Sequence, residues 1–175
     1  MLDLAGFAND SITDGSGIRF TVFAQGCPHG CPGCHNPQTH AFAMGKAWAE
    51  EDVMAKIVQN PLVRGVTFSG GEPFCQAEGF YRLAVLLKER GYELAAYTGY
   101  TLEELLALED PYAGRLLSQL DVLVDGRFVL SKRDLTLHFR GSSNQRIINV
   151  PKSLKAGTCV LETSARWVGE EQCGK

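Results

Sequence analysis

Apolar residues recur along this chain with two periods. From Ile18 to Ala24 (IRFTVFA), β-branched and aromatic residues follow a glycine-rich turn, DGSG at 14–17, and predict a strand. Gly65–Ser69 (GVTFS), Tyr92–Tyr97 (YELAAY) and Asp121–Val124 predict further strands, as do Leu135–Arg140 and Arg146–Val150. Between them the period changes. Val53, Met54, Ile57 and Val58 form one face of a helix within Trp48–Asn60, and Phe80, Leu83, Ala84 and Leu87 do the same in a helix from Gln76 to Arg90 that stops at Gly91. Thr101 and Glu104 make a capping-box pattern that opens a leucine-rich helix ending near Leu108.

Strands alternating with helices predict an α/β fold with a mostly parallel, curved sheet. A closed eight-stranded βα barrel takes about 250 residues. A chain of 175 residues is therefore expected to form a partial, TIM-like βα barrel with a wide lateral opening. No repeat or linker divides it, so residues 1–150 are expected to be the core domain and 151–175 a C-terminal extension.

Composition narrows the picture. With 45% hydrophobic and 21% charged residues and a net charge of -3, the chain is neither disordered nor collagen-like, and it has no basic field that predicts nucleic-acid binding. No run approaches the roughly 18 apolar residues of a membrane span, and MLDLAGFAND lacks the basic start of a secretory signal. A cytoplasmic chain is expected. Six cysteines then point to metal ligation or catalysis rather than a disulfide framework.

Cys27, Cys31 and Cys34 lie in FAQGCPHGCPGCHNP with C-x3-C-x2-C spacing. Gly26, Gly30 and Gly33 permit tight turns and Pro28 and Pro32 limit the alternatives, so three soft thiolates can converge on one centre. His29, His35 or His40 could complete a zinc tetrahedron. The other possibility is a four-iron cluster with three protein ligands, whose fourth iron stays open to a small molecule.

Conspicuous motifs follow the predicted strands: the cysteine loop, SGGEP at 69–73, TGY at 98–100, DGR at 125–127 and RGSSNQR at 140–146. In a parallel sheet these ends share one edge, where α/β proteins place ligands. Gly70 and Gly71 let backbone groups approach a ligand, Glu72 offers a carboxylate to an ammonium, Asp125 an acceptor for ribose hydroxyls, and Arg127 a fork for a carboxylate. Gly33, Cys34 and His35 are candidate contacts to the same ligand, His35 near a base or as a packed turn residue. Arg140, Asn144, Gln145 and Arg146 could bind ligand, shape a docking surface or form a polar hairpin loop, and His138 reads as structural. Cys75 reads as a small packed residue, and Cys159 with Cys173 as a weak candidate for a second metal or a disulfide.

Taken together, these motifs resemble the radical S-adenosylmethionine (radical SAM) enzymes, whose signature is C-x3-C-x2-C with a GGE element. SGGEP, TGY, LVDGRF and FRGSSNQR are similar to the activating proteins of anaerobic (class III) ribonucleotide reductase, which are glycyl-radical-enzyme activases. DGSGIR resembles the activase element DGPGIR, with Ser16 in place of proline. The resemblance runs from Asp14 to Val150. It implies that Cys27, Cys31 and Cys34 hold a [4Fe-4S] cluster with an open iron for S-adenosylmethionine, and that Glu72 belongs to the element holding the methionyl amino group. It further implies a flavodoxin-like electron donor, a 5′-deoxyadenosyl radical, and hydrogen abstraction from a glycine of anaerobic ribonucleoside-triphosphate reductase. An activase of the formate-lyase type, a small radical SAM enzyme acting on a metabolite, and a zinc or iron–sulfur binding module are the competing readings.

Overall fold

The computed structural model describes residues 1–169. Its β-branched and aromatic runs pair into one sheet of seven strands: β1 (Leu2–Ser11), β2 (Arg19–Ala24), β3 (Lys46–Trp48), β4 (Gly65–Gly70), β5 (Glu93–Tyr97), β6 (Val122–Asp125) and β7 (Arg146–Asn149). The helices are α1 (Glu50–Ile57), α2 (Ala77–Glu89), α3 (Leu102–Leu106), α4 (Pro111–Gln119), α5 (Val150–Ala156) and α6 (Ala165–Val168). Strand order across the sheet is β3-β1-β2-β4-β5-β6-β7. β2, β4, β5 and β6 are parallel, because each link between them carries helix and returns the chain to the starting end. β1, β3 and β7 run antiparallel to their neighbours. The fold is thus mixed α/β with an open, parallel-centred sheet.

Strand alternation gives the two faces different partners. Leu94, Ala96, Leu123 and Ile148 enter the main core with Ile57 of α1, Phe80 and Leu83 of α2, and Leu116 and Leu117 of α4. Ala95, Val122, Val124 and Ile147 lie on the opposite face and pack with Trp167 and Val168 of α6. Arg19 belongs to this second face and is almost fully buried. Its guanidinium donates to the Thr67 hydroxyl (2.6 Å), the Val66 carbonyl (2.9 Å) and Glu93 Oε1 (2.9 Å), and lies 5.3 Å from the Trp167 ring.

Five of the six expected strands form, but Leu135–Arg140 does not. It lies in the segment between β6 and β7, where Leu135 is 80% exposed and Phe139 has a φ of 51°. Its apolar alternation has no partner, because the edge of β6 away from β5 is already taken by β7. That segment carries a short 3-10 turn, Leu130–Lys132, and a lone antiparallel bridge from Arg133 to Ser142, with no crossover helix, so the chain re-enters the sheet antiparallel. The RGSSNQR stretch therefore reaches the carboxyl edge by leading into β7 rather than by following a parallel strand.

Residues 151–169 are built into the fold. Val150 sits in the main core, the Asn149 and Glu162 amides donate to Val160 and Ile147 carbonyls (2.9 and 2.8 Å), and Trp167 is fully buried. Cys173 lies outside the described residues. Among the described residues no helix is long and apolar enough to cross a membrane.

Candidate functional site

The carboxyl ends of β2, β4, β5 and β6 surround a cavity of about 810 Å³, within the roughly 300–1,000 Å³ of small-molecule sites. The loop after β2 forms one wall. It is closed at its base by Gly26 N–H to Thr39 carbonyl (2.8 Å) and Cys27 N–H to His40 carbonyl (3.0 Å). Gly26, Gly30 and Gly33 all have positive φ, which glycine tolerates at this bend. The loop is clamped to the end of β4 by Gly71 N–H to Ala24 carbonyl and Glu72 N–H to Gly26 carbonyl, both 2.8 Å. A Cβ on Gly71 would stand 2.3 Å from the Gly26 carbonyl oxygen. Gly71→Ala is therefore expected to cost about 1–3 kcal/mol, as other overpacked sites do, and to displace the cysteine loop. Urea denaturation and bound-iron content check both parts.

Cys27, Cys31 and Cys34 are free thiols, partly buried, and all three border the cavity. Burial raises the Cys27 thiol, and the Asn36 amide donates to the Cys34 sulfur (3.4 Å). Among the described residues, no group of three or more His, Cys, Asp or Glu side chains is gathered closely enough to hold a metal ion as it stands. The thiols surround a common volume instead. A four-iron cluster gives each thiolate its own iron, so a three-thiol wall around a roomy cavity fits that group in donor number and softness.

His35, Gly70 and Gly71 also border the cavity. The His35 ring lies 5.1 Å from the Phe128 ring, and Gly33 leaves the room that Leu130 and Phe128 occupy. Four expected ligand contacts are placed otherwise, Gly33 being exposed and off the cavity lining. Glu72 is fully buried, with its oxygens facing protein donors. Asp125 accepts from the Leu102 amide (2.8 Å) and Arg146 Nε (3.0 Å), capping α3 and anchoring β7. Arg127 is exposed, and its carbonyl accepts from Asn144 Nδ2 (2.9 Å). Arg140, by contrast, borders the cavity.

The GSSNQR loop is organised by its own side chains. Gln145 Oε1 accepts from the Gly141 and Ser142 amides (2.8 and 3.2 Å), and its Nε2 donates to the Gly126 carbonyl (2.9 Å). The loop thus shapes the wall beside β6. Sequence reasoning missed Asp14 and Tyr97 as cavity-lining residues; the DGSG turn was the available signal for the first.

A family model described as a 4Fe-4S single cluster domain matches residues 13–148. The chain is 38% identical over 149 residues to the anaerobic ribonucleoside-triphosphate reductase-activating protein of Pasteurella multocida, covering 78% of this chain and 90% of that one. The chain belongs to the anaerobic ribonucleoside-triphosphate reductase-activating protein family. The Escherichia coli K12 member of this activating-protein family is 34% identical over 142 residues, with 77% and 90% coverage. A pyruvate formate-lyase-activating enzyme of Clostridium pasteurianum is 41% identical over 108 residues, covering 57% of this chain and 45% of its own length. Among solved structures, QueE from Escherichia coli aligns with a TM-score of 0.46 and 22% identity over 57% of this chain and 53% of its own.

In this member of the activating-protein family a further cysteine lies close to the loop. Cys75 is exposed, not packed as the sequence suggests, but partial desolvation of its thiol pushes it up to about 11, and the Glu72 carboxylate adds to the shift. Its labelling by iodoacetamide is expected to keep rising well past the ordinary thiol value of about 8.5. A plateau at that ordinary value, in a pH series read by mass spectrometry, contradicts this.

Proposed function

We propose that this chain activates an anaerobic ribonucleoside-triphosphate reductase as a radical SAM glycyl-radical activase. One observation carries the reading: three cysteines, Cys27, Cys31 and Cys34, and no fourth among the described residues, border a cavity at the carboxyl edge of the parallel strands. When bound, the cluster supplies the electron for reductive cleavage of S-adenosylmethionine and so the hydrogen-abstracting chemistry directed at a glycine of the partner.

The chain's own residues bind, orient and shield. Cys27, Cys31 and Cys34 would hold the cluster. Gly70 and Gly71 let the end of β4 lie tight against the backbone of Ala24 and Gly26, and both border the cavity, so their backbone groups can meet the methionyl ammonium. His35, beside Phe128, forms the wall for the adenine. Arg140 is the cavity-lining arginine and takes the carboxylate role that the sequence assigned to Arg127. Glu72 and Asp125 act from behind the wall by fixing the elements that form it.

The sheet reads as a partial βα barrel, with helices outside and the cavity inside. Residues 1–150 form its core, and the described part of the extension, 151–169, closes its inner face with α6. A flavodoxin-like protein in the cytoplasm is the proposed electron donor. The formate-lyase relation covers a smaller share of both chains, which favours the reductase as partner.

The test is anoxic purification with iron and sulfide counts, then dithionite and S-adenosylmethionine with assay for 5′-deoxyadenosine, then addition of the reductase with paramagnetic resonance. The expected result is four irons per chain within error, cleavage, and a glycyl doublet on the reductase. Zinc in place of iron sinks the enzyme reading. Cleavage with a doublet only on a formate lyase moves the partner assignment.

A further inference from the structure

Glu72 and His29 form a bridge whose role the reactive site does not explain. Both oxygens of the fully buried Glu72 are occupied. Oε1 accepts from the Phe74 amide (3.1 Å) and the Thr98 hydroxyl (3.0 Å). Oε2 accepts from the Gly99 amide (2.9 Å) and meets His29 Nε2 at 2.8 Å. The carboxylate thus ties the end of β4 to the end of β5 and holds His29.

His29 stands midway between Cys27 and Cys31. Its side chain is 4% exposed, and its ring meets Tyr100 edge-on at 4.6 Å. The fit is close: a Cβ on Gly99 would fall 2.2 Å from His29 Cδ2. Among the described residues, His29 is the side-chain bridge from the arch 28–33 to the strand ends.

We infer that the His29–Glu72 pair is the positioning element of the cysteine arch, setting where Cys27 and Cys31 stand relative to the ends of β4 and β5. Glu72 is then committed to the protein, and its carboxylate is not the group that meets a ligand ammonium. The inference rests on the proposed cluster at Cys27, Cys31 and Cys34. His29 is a positioning residue: it touches the loop that carries the ligands, and outer partners of metal ligands govern affinity through orientation.

The test compares wild type, His29→Ala, His29→Gln and Glu72→Gln after anoxic reconstitution. Cluster affinity is read by chelator competition, and the reduced cluster by paramagnetic resonance with and without S-adenosylmethionine. His29→Ala is expected to lower cluster affinity by roughly 10- to 100-fold, the range for outer partners of metal ligands. His29→Gln, which keeps an N–H toward Glu72, is expected to recover most of that loss. Glu72→Gln turns a donor or a weaker acceptor toward His29 and is expected to lower affinity in the same assay. Thermal melts of the cluster-free chains separate this from global unfolding. Should the alanine chain unfold, His29→Leu fills the space without the hydrogen bond and makes the same comparison with His29→Gln. Wild-type affinity and spectrum in His29→Ala overturn the inference. So does a Glu72→Gln chain that keeps full cluster affinity and loses only its spectral response to S-adenosylmethionine. A wild-type chain that takes up no cluster overturns the underlying functional reading instead, and the two failures are told apart by that control.

Discussion

Cys31→Ala is expected to abolish cluster retention and with it all 5′-deoxyadenosine formation, whereas Cys159→Ala is expected to keep both. Cys27, Cys31 and Cys34 border one cavity. With one removed, two thiolates remain on a loop that glycines hold open, and a cluster that normally takes three or four cysteines loses its grip. Cys159 is partly buried against the main core, on the helix side of the sheet. Its thiol is raised by burial, with Arg146 pulling the other way, which suits a small apolar packing residue. Iron and sulfide counts with a SAM-cleavage assay check the pair. Equal loss in both variants, with the fold intact by circular dichroism, would transfer a functional role to the C-terminal segment.

Trp167→Ala is the substitution expected to cost most in stability, about 3–5 kcal/mol, as for other buried aromatic side chains. Trp167 is fully buried on the face opposite the main core. Its ring meets Phe139 edge-on at 5.4 Å and underlies the Arg19 guanidinium. It also fills the space beside Gly15, where a Cβ would fall 2.7 Å from the indole. Removing it leaves Arg19 buried with its aromatic partner gone and lets Phe139, a cavity-lining residue, lose its support. Urea denaturation measures the change. A shift within about 0.5 kcal/mol, the range of surface substitutions, would show that α6 is not seated on the sheet in solution.

How far the sequence foretold this depends on the distance over which each feature is decided. The cysteine loop was legible because its ligands lie within a few residues and its glycines are local requirements. The Thr101 and Glu104 capping box formed as expected, since both partners lie within one turn. β1 went unread because its alternation breaks at Gly6, where the register with β2 shifts. α4 went unread although Asp110 caps it and Pro111 opens it; Ala113, Leu116 and Leu117 supply only a short apolar face. Orientation was the least legible property. A carboxylate after a strand can face a ligand or the protein, and which it does is set by distant partners. For Glu72 the deciding groups are His29, Thr98 and Gly99, and for Asp125 they are Leu102 and Arg146. None of these pairings has a local signature.

Because α1, α2 and α4 cover one face of the sheet and the cavity and α6 lie at the other, each central strand carries two messages in alternate letters. On β5, Leu94 and Ala96 belong to the helix-side core, while Ala95 and Tyr97 belong to the inner face, where Tyr97 borders the cavity and donates to the Phe139 carbonyl (2.9 Å). Neighbouring positions in the chain thus answer to different demands. The inner letters line the cavity and seat α6, while the outer ones hold the helix-side core.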